Sequence, residues 1–479
     1  MSLLSRRQIL GTAAASPLIL TSRAAQARRP NVLFLLTDDQ SYATLSLTGN
    51  PFMKTPNIDR LGREGVRFTN AFVAMSLCAP SRACFLTGLY PHKNGIIGNQ
   101  IRWNQELQTL PALLQASGWR TAHIGKFHMD NDDRVHPGYD YYAAQVNQGA
   151  YENPRKNVNG TWTDLKGYDT TIITDQAIEF IRDAQKRASP WSTWLAYKAC
   201  HGPFTPAPGH GNDFANVEFK PPASFFLDDE GKPDRVRRKS QNPAFRPRLQ
   251  ALRAKKAAKR AAGDPPENLG RWAARERDQY RCLMGVEDSV ARLFAVLDEL
   301  KAMDDTIIVY AGDNGFFHGE HGLHGKMEAY EEALRVPMMA RFPRAIKGGQ
   351  RCDSFVSNVD LAPTVLDFCG VKPQRPMQGS SWRPLVAGGK PAAPWRDSFV
   401  YTMHGQDAAR PTVKALRTDR YKLIFNLNPR DKDELYDLKT DPQEMKNLAL
   451  DAGNTGLVGD LKQRLKARMK ELEDPCEIA

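Results

Sequence analysis

Cysteine is scarce in this sequence: seven occur among 479 residues, widely spaced and odd in number. Small secreted domains held together by disulfides carry a denser, usually even set, so a disulfide-stapled scaffold is excluded, although one or two bridges remain open. Long hydrophobic runs and internal repeats are also missing. Beyond the amino terminus no segment approaches the roughly 20 apolar residues that span a bilayer, which predicts no stable membrane association.

The amino terminus carries an export pattern. Arg6 and Arg7 precede a modest apolar run that ends at Leu20, and residues 25–27, Ala-Gln-Ala, fit a small-residue cleavage site. Paired arginines in this setting are typical of twin-arginine signals. We therefore predict that residues 1–27 are a twin-arginine signal peptide and that the mature protein is periplasmic or secreted.

Positive charge is in excess, with a formal net charge of +12, and much of it lies between Lys232 and Arg260. Such an excess favours anionic partners. The motifs and interleaved aromatic residues of nucleic-acid binders are missing, so no nucleic-acid partner is predicted. We interpret residues of about 230–265 as a solvated basic insertion of helix and loop. The alternative is that its charge binds an anionic lipid or an anionic substrate.

Apolar runs rich in β-branched residues alternate with helical patterns over most of the chain, which predicts an α/β fold: a central, mostly parallel sheet flanked by helices. After Pro343 the pattern changes, and "SFVYTM", "KALRTD" and "KLIFNL" precede a helix at about 454–472. This indicates a smaller carboxyl-terminal subdomain of antiparallel sheet plus helix. We place the main domain at 28–390 and this subdomain at 391–479.

Polar side chains follow four predicted strands, at the point where each strand ends. They are Asp38 and Asp39, Lys126 and His128, His201, and Asp313 and Asn314. Because ligands bind at the carboxyl ends of parallel strands in open α/β sheets, we expect these side chains to share one pocket.

The three carboxylates and the Asn314 amide oxygen in this set are hard ligands, suited to calcium or magnesium rather than zinc. Without a cation the clustered carboxylates would repel one another strongly. The alternative for Asp39 and Asn314 is that they are helix caps or turn formers.

Lys126 and His128 are two residues apart, so in an extended strand they face the same side and together suit an oxyanion and a proton transfer. His201 also fits an ordinary buried histidine, and Lys326 fits either anion binding or a solvated surface. The histidines of "GDNGFFHGEHGLHGK" lack the helical spacing of a zinc site, and the glycines around them describe a loop.

Cys78 begins the segment "CAPSRACFLTG". Pro80 fits the first turn of a helix, which places Cys78 at a helix amino terminus, and Arg82 lies one turn further on as a planar donor for an oxyanion. Chemistry alone leaves three interpretations of Cys78: a thiolate nucleophile of low pKa, a redox pair with Cys84, or a packed structural cysteine.

The order Cys78-Ala79-Pro80-Ser81-Arg82, followed by Thr87-Gly88, resembles the signature of the type I sulfatases, in which the cysteine is oxidised to formylglycine. Further similarity lies in "LLTDDQ", "GKFH", "AYKACHGPF", "YAGDNGFFHGEHGLHGK" and "ELYDLKTDPQEMKNLA". The resemblance covers nearly the whole mature chain and implies an alkaline-phosphatase-like fold.

The resemblance also implies a role for each matching residue. Cys78, as formylglycine, would be the nucleophile and would lie beside a calcium ion, with magnesium as the alternative, whose other ligands are Asp38, Asp39, Asp313 and Asn314. Arg82 would steady the hydrated aldehyde and the metal site. Lys126, His201 and Lys326 would hold the sulfate, His128 would take a proton from the hydrate, and His201 or Lys326 would protonate the leaving alcohol.

The resemblance thus predicts a sulfatase that hydrolyses sulfate esters of a carbohydrate, with a formylglycine-generating enzyme as its partner during maturation. One alternative is a phosphonate monoester or phosphodiester hydrolase with the same machinery. Another is an inactive binder of sulfated polysaccharide in which Cys78 stays unmodified. The sugar, the linkage and the oligomeric state do not follow from the sequence.

Overall fold

The computed structural model describes residues 29–129, 134–226, 231–233, 236, 269–389, 391, 393–405, 411–475 and 478. The predicted signal peptide and most of the basic insertion lie outside these residues, so both stay predictions. No helix in the described ranges has the combination of length and apolar character needed to cross a bilayer.

A ten-stranded sheet forms the centre of the molecule. Its strands are β1 (Asn31–Thr37), β2 (Val66–Phe68), β4 (Arg120–Lys126), β5 (Tyr141–Gln145), β6 (Arg155–Val158), β7 (Thr161–Asp164), β8 (Trp191–Ala196), β9 (Thr306–Gly312), β12 (Met338–Arg341) and β13 (Gln350–Cys352), in the order β13-β2-β12-β9-β1-β8-β4-β5-β6-β7. The five neighbours β9, β1, β8, β4 and β5 are parallel, and antiparallel pairings occur towards the two edges. The predicted mostly parallel α/β sheet is confirmed.

Strand β1 shows why the sheet lies in the middle of the molecule. All seven of its residues are buried. Val32, Phe34 and Leu36 pack into one apolar cluster, and Leu33 and Leu35 pack into another. Because successive side chains of a strand point to opposite faces, this continuous apolar run covers both faces of the sheet.

Helices cover both faces. The main-domain helices are α1 (Pro56–Glu64), α2 (Cys78–Thr87), α3 (Pro91–Asn94), α4 (Leu110–Ala116), α5 (Asp169–Lys186), α6 (Leu269–Glu299), α7 (Glu331–Leu334), α8 (Leu361–Cys369) and α9 (Arg383–Val386). Apolar residues of α2, α4 and α8 join the cluster of Phe34, and those of α1, α5 and α6 join the cluster of Leu33. Helix α6, at 31 residues, is the longest helix in the described ranges.

The carboxyl-terminal part is a second sheet with one long helix. Strands β15 (Ser398–Met403), β16 (Val413–Thr418), β17 (Tyr421–Asn426) and β18 (Glu434–Asp437) are antiparallel neighbours, and α10 (Thr455–Glu471) packs on them. The predicted antiparallel sheet plus helix is confirmed, whereas the boundary at 391 stays a prediction. Two small pairs complete the strands: β3 (Ala71–Phe72) with β14 (Val356–Ser357), and β10 (Phe317–His318) with β11 (His324–Gly325).

This second sheet packs against the segment that leads into α2. Thr402 donates its backbone N–H to the carbonyl of Ala74 at 3.0 Å, and the hydroxyls of Ser76 and Tyr401 are 2.7 Å apart. Lys232, which opens the basic run, is buried here and donates to the Tyr436 hydroxyl at 2.8 Å. The interpretation of the basic run as solvated is therefore wrong for its first residue, because Lys232 is an anchor to the second sheet.

Gly125 in β4 offers a test of how tightly the central strands are held. Its φ is +106°, and a Cβ there would lie 1.9 Å from the Ala196 carbonyl oxygen, whereas Gly167, with a φ of +113°, has open space around it. We expect Gly125→Ala to lower the free energy of unfolding by about 2 kcal/mol more than Gly167→Ala, since both carry backbone strain but only the first adds a clash. Chemical denaturation followed by circular dichroism measures both, and equal losses would contradict this packing.

Candidate active site

Helix α2 fixes the position of Cys78, which is its first helical residue. Pro80 lies in the first turn as predicted, and all ten residues of the helix are buried. The helix ends at Thr87, and the next residue, Gly88, caps it with a φ of +68° that is accessible to glycine at little cost. Ser81 donates its hydroxyl to the Asp313 carbonyl and accepts from Asn358 Nδ2 at 2.9 Å, which ties α2 to the end of β9.

The Cys78 side chain lies among charged groups from three strand ends. Its Sγ is 3.4 Å from Asp38 Oδ1, 3.6 Å from Lys126 Nζ and 2.7 Å from Lys326 Nζ. Asp38 directly follows β1, Lys126 ends β4, and Lys326 follows the loop after β9. The ends of the parallel strands β1 and β4 and the residue after β11 therefore meet at the amino terminus of α2.

Each of the three carboxylates here has a cationic partner. Lys126 pairs with Asp38 and Lys326 with Asp39, while Arg82 Nε donates to Asp313 Oδ2 at 2.9 Å. His201 Nε2 is 3.6 Å from Asp39 Oδ2. Since Asp38, Asp39 and Asp313 are at most 2% exposed, these pairs offset charge that burial would otherwise make very costly.

The same donor set fits a hard cation. Ligating atoms of Asp38, Asp39, Cys78 and His201 lie within 4.8 Å of one another. Asn314 donates its Nδ2 to Asp39 Oδ1 at 2.7 Å, and its Oδ1 is buried with no hydrogen-bond partner. A buried amide oxygen without a donor, beside carboxylates, is the ligand chemistry of calcium or magnesium. Asp313 lies beside this group, with its Oδ1 accepting from the Asp39 N–H at 3.1 Å.

The surroundings of Cys78 disfavour a thiolate near neutral pH. Burial and the charge of Asp38 raise the pKa of the Cys78 thiol to about 12. Burial and Asp38 likewise raise the pKa of Asp313 to about 6. The pKa of Asp38 is shifted in the opposite direction. Burial raises this pKa, but Lys126, His201 and Arg82 hold it well below the usual value. The unmodified cysteine is therefore a poor nucleophile.

The redox interpretation of Cys78 with Cys84 also fails. Cys84 points into a separate apolar cluster with Ala74, Tyr90 and Val359, and its Sγ is 3.8 Å from Asn94 Nδ2. The six cysteines among the described residues are all free thiols. Of the bridges that the sequence left open, none forms between these six.

Lys126 and His128 do not share an extended strand. Strand β4 ends at Lys126, and His128 has a φ of +61°, so the expectation based on alternation was wrong. Both side chains still approach one group, Gln148: its Oε1 accepts from Lys126 Nζ, and its Nε2 is 3.2 Å from His128 Nε2. Burial and Lys126 lower the pKa of His128 to about 2, which keeps the imidazole neutral.

Gln148 was missed from the sequence because the strand before it was missed, and its position after a strand is the signal that could have found it. It follows β5, which is parallel to β4, so it too lies at the carboxyl end of a central strand. The strand itself, "YYAAQ", is short and gave no pattern that separated it from a loop.

The histidines of the loop after β9 have separate partners. His318 Nδ1 is 2.8 Å from Glu276 Oε1, and the His321 ring stacks on Tyr330 with centroids 4.3 Å apart. His324 is exposed and lies in the wall of a cavity. They do not converge on one point.

A cavity of about 600 Å³ opens beside these groups. Asp39, His201 and Lys326 line its inner part, and Phe204, Phe316 and His324 are among the other lining residues. A cleft of this size accommodates a small organic molecule. Its inner part combines a lysine, a histidine and a carboxylate, so it offers polar groups of both signs to such a molecule.

Comparison with known proteins decides the family. The family model Sulfatase matches residues 30–371, and the model N-sulphoglucosamine sulphohydrolase, C-terminal, matches residues 319–471. The chain belongs to the sulfatase family. It is therefore a sulfuric ester hydrolase, as the sequence predicted.

Relatives resemble this sulfatase along most of its length. An N-acetylglucosamine-6-O-sulfatase of Bacteroides thetaiotaomicron is 34% identical, over 94% of this chain and 88% of that protein. A solved structure of a protein in complex with its substrate D-glucosamine-2-N,6-O-disulfate has a TM-score of 0.83 at 34% identity, covering 93% of this chain and 99% of that chain. A phosphonate monoester hydrolase of Agrobacterium radiobacter, with a TM-score of 0.72 at 22% identity over 92% of this chain and 96% of its own, shares the fold.

Gln148 can be tested as a positioning residue. We expect Gln148→Ala to lower kcat of this sulfatase about tenfold, because removing a hydrogen-bond partner of two buried polar groups costs roughly 1–3 kcal/mol. Gln105→Ala is the matched control, since Gln105 Nε2 lies 3.0 Å from His136 Nδ1 in a similar pair that does not contact Cys78, and it should retain its kcat. Steady-state rates with an aryl sulfate measure both, and equal kcat values would contradict the role.

Proposed function

We propose that this sulfatase hydrolyses the 6-O-sulfate ester of a glucosamine-type sugar, with Cys78 converted to formylglycine. The observation that carries the proposal is the surroundings of Cys78, where two lysines and one aspartate lie within 3.6 Å of Sγ at the start of a buried helix. The likeness to a glucosamine-6-O-sulfatase and to a structure holding a glucosamine disulfate supports the choice of sugar.

Oxidation of Cys78 would replace a thiol that stays protonated with a hydrated aldehyde. One hydroxyl of the hydrate would attack the sulfur of the substrate ester, and the other hydroxyl would then expel the sulfate. The helix amino terminus favours negative charge at this position. Arg82, fully buried between Asp313 and the Lys126 carbonyl, would hold the diol and the carboxylates in place.

Lys126, Lys326 and His201 would bind the sulfate oxygens. Lys126 and Lys326 approach Cys78 Sγ from different strand ends, so a sulfate at this point receives cations from two directions. His201, in the cavity wall, or Lys326 would protonate the alcohol oxygen as the ester bond breaks. The neutral His128 would take the proton from the hydrate when sulfate leaves.

A calcium ion, with magnesium as the alternative, would be held by Asp38, Asp39, Asp313 and Asn314 beside the Cys78 side chain. It would supply Lewis-acid stabilisation of charge on oxygen. Lys126 and Lys326, which here pair with Asp38 and Asp39, would then be available to bind the sulfate. We further infer twin-arginine export and maturation by a formylglycine-generating enzyme.

The substrate class is tested with four compounds: N-acetylglucosamine 6-O-sulfate, its 3-O-sulfate isomer, an aryl sulfate and an aryl phosphonate. We expect kcat/KM to be highest for the 6-O-sulfate and activity to scale with the formylglycine content at position 78, measured by peptide mass analysis. Cys78→Ala should lose activity on all four. Faster cleavage of the phosphonate would overturn the proposal, and an intact thiol in protein from the native host would favour the inactive binder.

The metal assignment is tested by Asp313→Ala. We expect bound calcium, measured by atomic spectroscopy, to fall well below the wild-type content, and kcat to fall at least about 100-fold, because a ligand and the partner of Arg82 are lost together. Asp353→Ala is the control, since Asp353 is a surface carboxylate paired with Arg351. Circular dichroism verifies the fold, and near-normal turnover with full calcium content would refute the assignment.

A further inference from the structure

The outer wall of the cavity carries charged groups that the chemistry at sulfur does not use. Arg275 and Asp278 lie one turn apart on α6 and both line the cavity, opposite in sign to each other. His324, from the loop after β9, lines it as well. The inner part of the same cavity contains Asp39, His201 and Lys326, so a sugar whose sulfate lies at Cys78 would extend towards Arg275.

Arg275 differs from the other charged residues of the cavity because none of the described residues forms an ion pair with it. Lys326 is paired with Asp39, and Asp278 Oδ1 is 3.0 Å from Arg281 NH1. His324 lies in the same wall, edge-on to Phe316 with ring centroids 5.0 Å apart. The Arg275 side chain is exposed, and in the described part of the chain no hydrogen bond or ion pair engages its guanidinium.

We propose that Arg275 binds a second anionic group of the substrate and so makes this sulfatase selective for doubly charged sugars. The inference rests on the proposed function. A guanidinium presents a planar pair of donors that matches the oxygens of a sulfate or a carboxylate, and an unpaired cation at the mouth of a cleft attracts such a group. Lys126 and Lys326 would bind the sulfate that is cleaved, beside Cys78, so Arg275 would be available to bind a second anion.

Two groups of a sulfated sugar would present this second anion. One is an N-sulfate on the sugar that bears the 6-O-sulfate, and the substrate in the solved relative, D-glucosamine-2-N,6-O-disulfate, has such a group. The other is the carboxylate of an adjoining sugar acid. Both would present two anionic oxygens to Arg275.

The test compares Arg275→Gln with the wild type on two matched pairs of substrates. The first pair is glucosamine 2-N,6-O-disulfate against N-acetylglucosamine 6-O-sulfate. The second is N-acetylglucosamine 6-O-sulfate linked to a sugar acid against the same sugar linked to a neutral hexose. Arg271→Gln is the control, because Arg271 is an exposed arginine one turn earlier on α6 that does not line the cavity.

We expect the wild type to prefer the doubly charged member of at least one pair. Arg275→Gln should reduce that kcat/KM ratio about tenfold, mainly through KM, because a charge-assisted hydrogen bond to the second anion is lost. Arg271→Gln should keep the wild-type ratio. The substrate pair whose kcat/KM ratio falls in Arg275→Gln identifies the second anion as an N-sulfate or a carboxylate. Ratios that are equal in wild type and Arg275→Gln for both pairs would overturn the inference alone, whereas a wild type inactive on all four sugars would overturn the proposed function as well.

Discussion

Three buried carboxylates meeting at one point are the constraint on which the rest of this structure depends. Asp38, Asp39 and Asp313 follow two adjacent parallel strands, β1 and β9, so the backbone forces them together whatever their charge. Their repulsion in a buried environment has to be offset. Arg82, Lys126 and Lys326 provide the compensating charge here, and each reaches in from a different element.

This arrangement couples stability to chemistry. The cations that neutralise the carboxylates are the groups best placed to bind an anion beside Cys78, so a hard cation at the carboxylates would free them for that task. Strained backbone accompanies the site, since Asp39 and His128 both have positive φ values, of 56° and 61°. Such conformations persist where surrounding contacts over-determine them, here the packed ends of β1 and β4.

The sequence predicted those parts of the fold and site that follow from local pattern. Continuous apolar runs marked β1 and β9, because a strand covered on both faces needs them, and the polar residues directly after those runs marked the pocket. Short strands such as β5 were missed, and Gln148 with them, because four or five residues carry little periodicity. Arg275 was missed for a different reason: a single arginine in a helix of mixed charge has no local signal, and only the tertiary position of α6 brings it to the cavity.

The complete burial of α2 has a consequence for the order of events in making this protein. Cys78 has no exposed surface, and the helix that it begins packs against the central sheet, against α8 and against the segment that the second sheet holds through Thr402 and Tyr401. Another protein cannot bring its catalytic groups to a side chain enclosed in this way. If formylglycine forms at this position, it has to form on a nascent or unfolded chain, and the folded thiol form would be a dead end.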